Sequence, residues 1–196
     1  MSTRKSPLYT ALAVVFGIIV LAGGAAKLYR GFSNLTSSGL DPKVGELLRE
    51  SDAAIAEVNR ETNAVVPAFQ ELLNDFDKME LAAFRAEKRE TCTKLSEQFA
   101  AVGERLQLAS KTIIEATQLG TDADTTAFLM ARSKSYDLLI KVSKQNIDII
   151  RATLDESVVD MDAIVGKVLS IAANRDADQK AADEATAAAN AMIKRS

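Results

Sequence analysis

Residues 6–26 carry no Asp, Glu, Lys or Arg. As a helix rising 1.5 Å per residue, such a run is long enough to cross a hydrocarbon core about 30 Å thick. Leu8, Leu12, Val14, Val15, Phe16, Ile18, Ile19, Val20 and Leu21 supply the transfer free energy, with Arg4 and Lys5 before the run and Lys27 and Arg30 after it. Tyr9 and Tyr29 stand near its ends, where an aromatic ring with a polar tip prefers the headgroup level. A cleaved secretory signal has a similar outline, and Gly24-Ala25-Ala26 would serve as its cleavage site. Its apolar region, however, runs about 7 to 15 residues, shorter than this one. The expectation is therefore a short basic tail at residues 1–5 and a retained transmembrane helix at residues 6–28. The lipid bilayer is the first partner. The basic tail carries no acid, so the positive-inside rule places it in the cytoplasm and the body outside. For a bacterial chain this is a single-pass inner-membrane protein with a periplasmic body. Ala13, Gly17 and Gly24 fall near one face of the spanning helix, but no GxxxG is present and small residues are common in such helices.

The remaining chain suits helices better than sheets. It has few glycines and prolines (9 and 3 in the whole sequence), no Trp and 5% aromatic residues, whereas a sheet protein of this length needs many turn residues. Residues 29–41 are a linker, with a charge-free Gly/Ser/Thr-rich stretch at residues 31–40. Asn34-Leu35-Thr36 matches a glycosylation sequon, discounted because it lies so close to the membrane. Asp41-Pro42 then reads as a helix start, with Asp as N-cap and Pro at the first helical position, where no amide donor is needed.

From there a stripe with alternating steps of three and four runs through Ile55, Val58, Thr62, Val65, Phe69, Leu72, Phe76, Met79 and Ala83, the signature of an amphipathic, heptad-like helix. Pro67 lies inside it without disturbing its phase, so a kink is expected there and not a reversal. The stripe fades across residues 85–90 (RAEKRE) and resumes with slipped register at Cys92, Leu95, Phe99, Val102, Leu106, Ala109, Ile113 and Ala116. Leu119-Gly120-Thr121-Asp122 is the clearest turn: Gly suits a left-handed position, and Thr121 or Asp122 can cap the next helix. A second seam follows through Leu129, Tyr136, Ile140, Ser143, Ile147, Ile150, Leu154, Ser157, Met161, Ile164, Val168 and Ile171. Leu139, Val142, Ile149, Val158 and Val165 flank it, a stripe too wide for a two-helix contact. After Ala173 the chain is Ala-rich, strong in helix propensity and poor in large core side chains.

The fold class is all-α: a transmembrane helix followed by two arms, residues 42–119 and 122–196. The arms form either a long antiparallel, coiled-coil-like hairpin or a four-helix bundle in which each arm folds back once, near RAEKRE and near Asp155 or the start of the Ala-rich end. Strong turn residues are missing at both fold-back points, which favours the hairpin, about 100 Å or more in length. The wide second seam and its serines call for more than two helices in the core somewhere, through dimerisation for example.

The chain has no His, so Ser-His-Asp, Cys-His and His-metal arrangements are excluded within it. No P-loop, GxGxxG or CxxC is present. Cys92 is the sole cysteine, so no intrachain disulfide can form. Asp155, Glu156, Asp160 and Asp162 fail the spacing of a calcium loop and read as a solvated helix face. Lys134, Lys141, Lys144 and Arg151 make a basic strip whose charges Asp137 and Asp148 can pair. With 24 basic and 27 acidic residues the net charge is −3, which leaves nucleic acid without an electrostatic footprint.

These readings predict no catalytic, cofactor-binding or metal-binding residues, no cofactor and no enzyme. The expected function is that of a membrane-anchored helical scaffold of the cell envelope, acting through contacts with itself or with a helical protein partner; no small-molecule ligand is indicated. The alternative is a ligand-sensing helical bundle that resembles in outline the outer domain of bacterial chemoreceptors. In that case a partner supplies the second span and the cytoplasmic module such receptors use.

Overall fold

A computed structural model of the chain describes residues 41–193. The anchor expected at residues 6–28 and all but the last residue of the linker lie outside the described residues. Among the described residues there is no strand, and no helix is long and apolar enough to cross a membrane. Four helices follow one another: α1 (Pro42–Lys78), α2 (Leu81–Thr117), α3 (Ala123–Leu154) and α4 (Met161–Ile193). Each packs on the next, and the short connections make them antiparallel, an up-and-down four-helix bundle.

The bundle is the second of the two arrangements expected, with its later fold-back at Asp155, and it corrects the preference for a long hairpin. Each arm is two helices, and the longest helices, 37 residues each, extend about 55 Å at 1.5 Å per residue. The first reversal occupies only Met79 and Glu80, upstream of RAEKRE, which is helical throughout. Both residues are extended, Met79 at φ −97° and ψ 150° and Glu80 at φ −62° and ψ 137°. Any L-residue adopts these angles, so the turn needs no Gly or Pro. What closes it is packing. Phe76 and Phe84, one on each side, meet edge to face with ring centroids 5.0 Å apart, and Lys88 pairs with Asp75 at 2.5 Å.

The second reversal, at residues 155–160, interrupts the seam expected to run on through Ser157 to Met161. Arg85 of α2 holds it from outside, its guanidinium donating to the carbonyl oxygens of Thr153 at 3.2 Å, Asp155 at 2.6 Å and Val158 at 2.8 Å. A cation thus satisfies carbonyls that the end of α3 leaves without helical partners. Asp160 opens the last helix, its carboxylate accepting from the Asp162 amide at 3.1 Å and its carbonyl from the Ile164 amide at 3.2 Å.

The other sequence signals hold. Asp41 caps α1 by accepting from the Lys43 amide at 2.8 Å, with Pro42 in the first turn, and the helix runs through Pro67 without interruption. Gly120 has φ +75°, and Asp122 caps α3 by accepting from the Thr125 amide at 2.9 Å and its hydroxyl at 2.6 Å. From Ile55 to Phe76, and again from Cys92 to Ala116, every residue of the expected seam is buried. The flanking positions Leu139, Val142 and Ile149 are buried too, because α3 packs against both α2 and α4. The Ala-rich segment is helical to Ile193, and its buried stripe reads Ile164, Val168, Ala172, Arg175, Gln179, Ala182, Ala185, Ala189.

The core is divided along its length. One apolar cluster, near the two reversals, includes Phe69, Phe76, Phe84, Phe99, Ile149 and Val168. The other, near the 118–122 turn, includes Leu48, Val58, Leu106, Ile113, Leu129 and Ile140. Phe69 and Phe99 meet edge to face at 5.2 Å at the inner edge of the first.

Candidate functional site

What separates the two apolar clusters is a polar section made by Thr62, Ser143, Asn146, Arg175 and Gln179, all buried. Helix register brings them to one height. The Ser51 hydroxyl donates to the Ala109 carbonyl at 3.4 Å and Arg105 Nε to Glu61 at 3.0 Å, which aligns α1 with α2. Ser143 donates to the Phe99 carbonyl, and a Cβ on Gly103 would sit 3.6 Å from the Ser143 Oγ, which aligns α2 with α3. Gln145 donates to Asp178 at 2.9 Å and Ser135 to the Ala182 carbonyl at 3.2 Å, which aligns α3 with α4. Counting along each helix from these contacts puts the five residues within about one helical turn of the same level.

Arg175 occupies a core position of α4 and is 1% exposed. Its Nε and Nη2 donate to the carboxylate of Asp176, its immediate neighbour in sequence, while Nη1 has no protein partner. At the same level the Thr62 hydroxyl, Gln145 Oε1, Asn146 Oδ1 and Gln179 Oε1 are buried without protein partners, although the Gln179 amide nitrogen donates to Asp183 at 3.0 Å. A buried polar atom left unpaired costs about 1–3 kcal/mol. Five at one level are a large share of the ~5–15 kcal/mol by which a domain is stable.

A second buried arginine shows what this interior does when it satisfies one. Arg132 of α3, 2% exposed, bonds to Asp52 across the bundle on α1 and donates through Nε to the Tyr136 hydroxyl at 3.1 Å. Its guanidinium carbon lies 5.6 Å from the ring centroids of both Phe128 and Tyr136, within cation–π range. Burial opposes its charge, but Tyr136 and Asp52 more than offset that and raise its pKa above the ordinary arginine value.

No family model, curated protein or solved structure matches this chain.

Elsewhere the structure redistributes the groups singled out in the sequence. Asp155, Glu156 and Asp160 do not form a helix face: they lie in the loop at residues 155–160, and Asp162 is in the first turn of α4. Each of the loop acids has a local partner. Asp155 accepts from the Ser157 hydroxyl and from Lys167 at 3.3 Å, which together hold its carboxyl below the usual range. Glu156 pairs with Arg89. Among the described residues no group of three or more His, Cys, Asp or Glu is placed to hold a metal ion.

Lys134, Lys141, Lys144 and Arg151 are all exposed. Arg151 approaches Asp148 at 3.8 Å, whereas Asp137 accepts from the Ser110 hydroxyl of α2 at 2.9 Å. An open groove of about 550 Å³ between α3 and α4 is lined by Asp148, Arg151, Leu154, Asp155, Lys167 and Ile171. Its two cations face its two carboxylates, so it offers no unpaired charge. Cys92 is fully buried; burial pushes its thiol up to about 11, against a smaller opposing effect of Thr153.

Sequence reading missed the polar section because Arg175 and Gln179 sit in the Ala-rich end, where no large apolar residues mark the core stripe. The available signal was the stepping itself: continuing by fours and threes from Ile164 through Val168 and Ala172 lands on Arg175 and Gln179.

Proposed function

We propose that this chain is a non-catalytic, single-pass membrane protein whose four-helix body works by contact with a second copy or another helical protein in the same membrane. Residues 6–28 are its anchor, the tail is cytoplasmic and the body stands on the outer side of a bacterial inner membrane. The observation that carries the contact reading is where large apolar side chains are exposed. Leu108, Ile114, Leu119, Met130 and Met192 are exposed in the half of the bundle that contains the start of α1, nearest the anchor, whereas Val159 is exposed at the far end. Where such side chains adjoin, they mark an interaction site. By register, Ile114 of α2 and Met130 of α3 share the groove between those helices.

The experiment is site-specific photocrosslinking of the full chain in its membrane, with the probe at Met130 or at Val159. Contact-based function predicts a discrete adduct, with itself or with one membrane protein, from position 130 and none from 159. Equal labelling from both positions, or release of the full chain from membranes by alkaline wash, overturns the proposal.

A second reading, a bundle that senses a ligand and signals through a partner, is favoured by the buried polar section. A scaffold needs no buried guanidinium with an unpaired nitrogen at its centre, and replacing buried ionic groups by apolar ones is often stabilising.

A further inference from the structure

The geometry points to a binding site for a small carboxylate that also carries a hydrogen-bond donor, a hydroxy or amino acid of two or three carbons, in the polar section around Arg175. The donor and acceptor census sets the ligand's chemistry. Arg175 Nη1 is a charged donor without a protein acceptor, and Asn146 Oδ1 and Gln179 Oε1 are acceptors without protein donors. A single small molecule satisfies both kinds by placing its carboxylate on the guanidinium and its hydroxyl or ammonium hydrogens on the amide oxygens. Arg132 shows how this interior pairs a buried guanidinium in full, with the Asp52 carboxylate and the Tyr136 hydroxyl both accepting from it. Arg175 has its neighbour Asp176 on one edge and no hydrogen-bond acceptor on the other. Asp176 is partly exposed, so the Arg175–Asp176 pair lies at the boundary between core and solvent and marks the side of α4 from which a ligand enters. Because the site's groups come from α3 and α4 at mid-height, where the two apolar clusters meet, filling it would tie those two helices together there. This gives the sensing reading its ligand class and rests on that reading for its use, while binding itself is measured independently.

The test is calorimetric titration of the full-length protein in lipid nanodiscs with glycolate, glycine, acetate and ethylamine. One-site binding of glycolate or glycine is expected, weaker binding of acetate, which lacks the donor, and none of ethylamine, which lacks the carboxylate. Arg175→Met should weaken binding about tenfold or more, the worth of one charged hydrogen bond. Because the Asp176 carboxylate it leaves behind is partly exposed and can be solvated, this variant should fold. Gln179→Leu provides a second loss at the same site, and Arg151→Met in the exposed groove should leave affinity unchanged. No binding of any carboxylate at tens of millimolar, or binding that survives both Arg175→Met and Gln179→Leu, overturns the site. If binding occurs but leaves the crosslinking pattern from Met130 unaltered, the site stands and the sensing reading falls.

Discussion

Replacing Asp52 by Asn leaves a guanidinium buried to 2% exposure with no carboxylate within reach, because Arg132 has that one ion-pair partner and it comes from a different helix. Breaking a buried pair from one side costs about 3–5 kcal/mol, most of it the uncompensated charge. The Tyr136 hydroxyl and the two flanking rings remain, so the expected loss is at the lower end, about 3 kcal/mol. For a chain of this size that lowers Tm by ~6–12 °C. The sign of the rescue is the sharper test. Arg132→Met combined with Asp52→Leu removes both charges and fills the space with apolar atoms, and should restore the loss to within about 1 kcal/mol of the parent or exceed it. Urea and thermal unfolding of the full chain, followed by circular dichroism at 222 nm, measure both. A single variant that costs less than about 1 kcal/mol would show that Asp52 does not compensate the buried cation. A double variant as unstable as the single one would refute the view that the penalty is uncompensated charge.

Arg85→Ala removes three hydrogen bonds to the carbonyls of residues 153, 155 and 158 and should cost about 2–4 kcal/mol. Hydrogen exchange should accelerate first at residues 150–160, and unchanged protection there would refute the role given to Arg85. Gly120→Ala meets no atom within 4 Å, so its whole effect is the strain of φ +75°, about 1–2 kcal/mol in denaturant unfolding; a neutral substitution would contradict the left-handed turn. Cys92 should resist thiol reagents at pH 8 in the folded protein and react in urea. Its folded pKa of about 11 lies above the ordinary 9.0, so the folded state holds this proton more tightly. The associated stability is intact below pH 9 and is lost as the pH rises from 9 through 11, by roughly 2–3 kcal/mol. Cys92→Ala should remove that part of the alkaline decline, seen by comparing unfolding midpoints at pH 8 and pH 11.

The parts of the fold legible in the sequence are those whose cause is local. Asp41-Pro42 and Gly120-Thr121-Asp122 carry their cap and turn chemistry in their own side chains, and the seams of α1 and α2 advertise a buried face through spacing alone. The two fold-backs were legible only as one of two options, near RAEKRE and near Asp155; the second is where the chain turns, but neither reversal carries its cause locally: Met79 and Glu80 take ordinary extended angles, and the loop at residues 155–160 is held by Arg85, some 70 positions earlier and within the RAEKRE segment itself. The polar section was hidden for a related reason. A core position is recognised in sequence by the apolar residue it holds, so a core position holding Arg or Gln is invisible until the helix on either side is in register. This leads to a physical point about how the bundle is specified. Alanine gives the lower half of α4 little packing volume with which to choose a register, and a one-turn slip of Ala182, Ala185 and Ala189 would exchange small residues for small residues. It would also pull Ser135 away from the Ala182 carbonyl and Gln145 away from Asp178. Polar contacts of modest individual worth, about 1 kcal/mol each, thus select among registers in the Ala-rich half of α4, where hydrophobic burial scarcely distinguishes them, and so reinforce the register that Ile164 and Val168 set near the start of the helix.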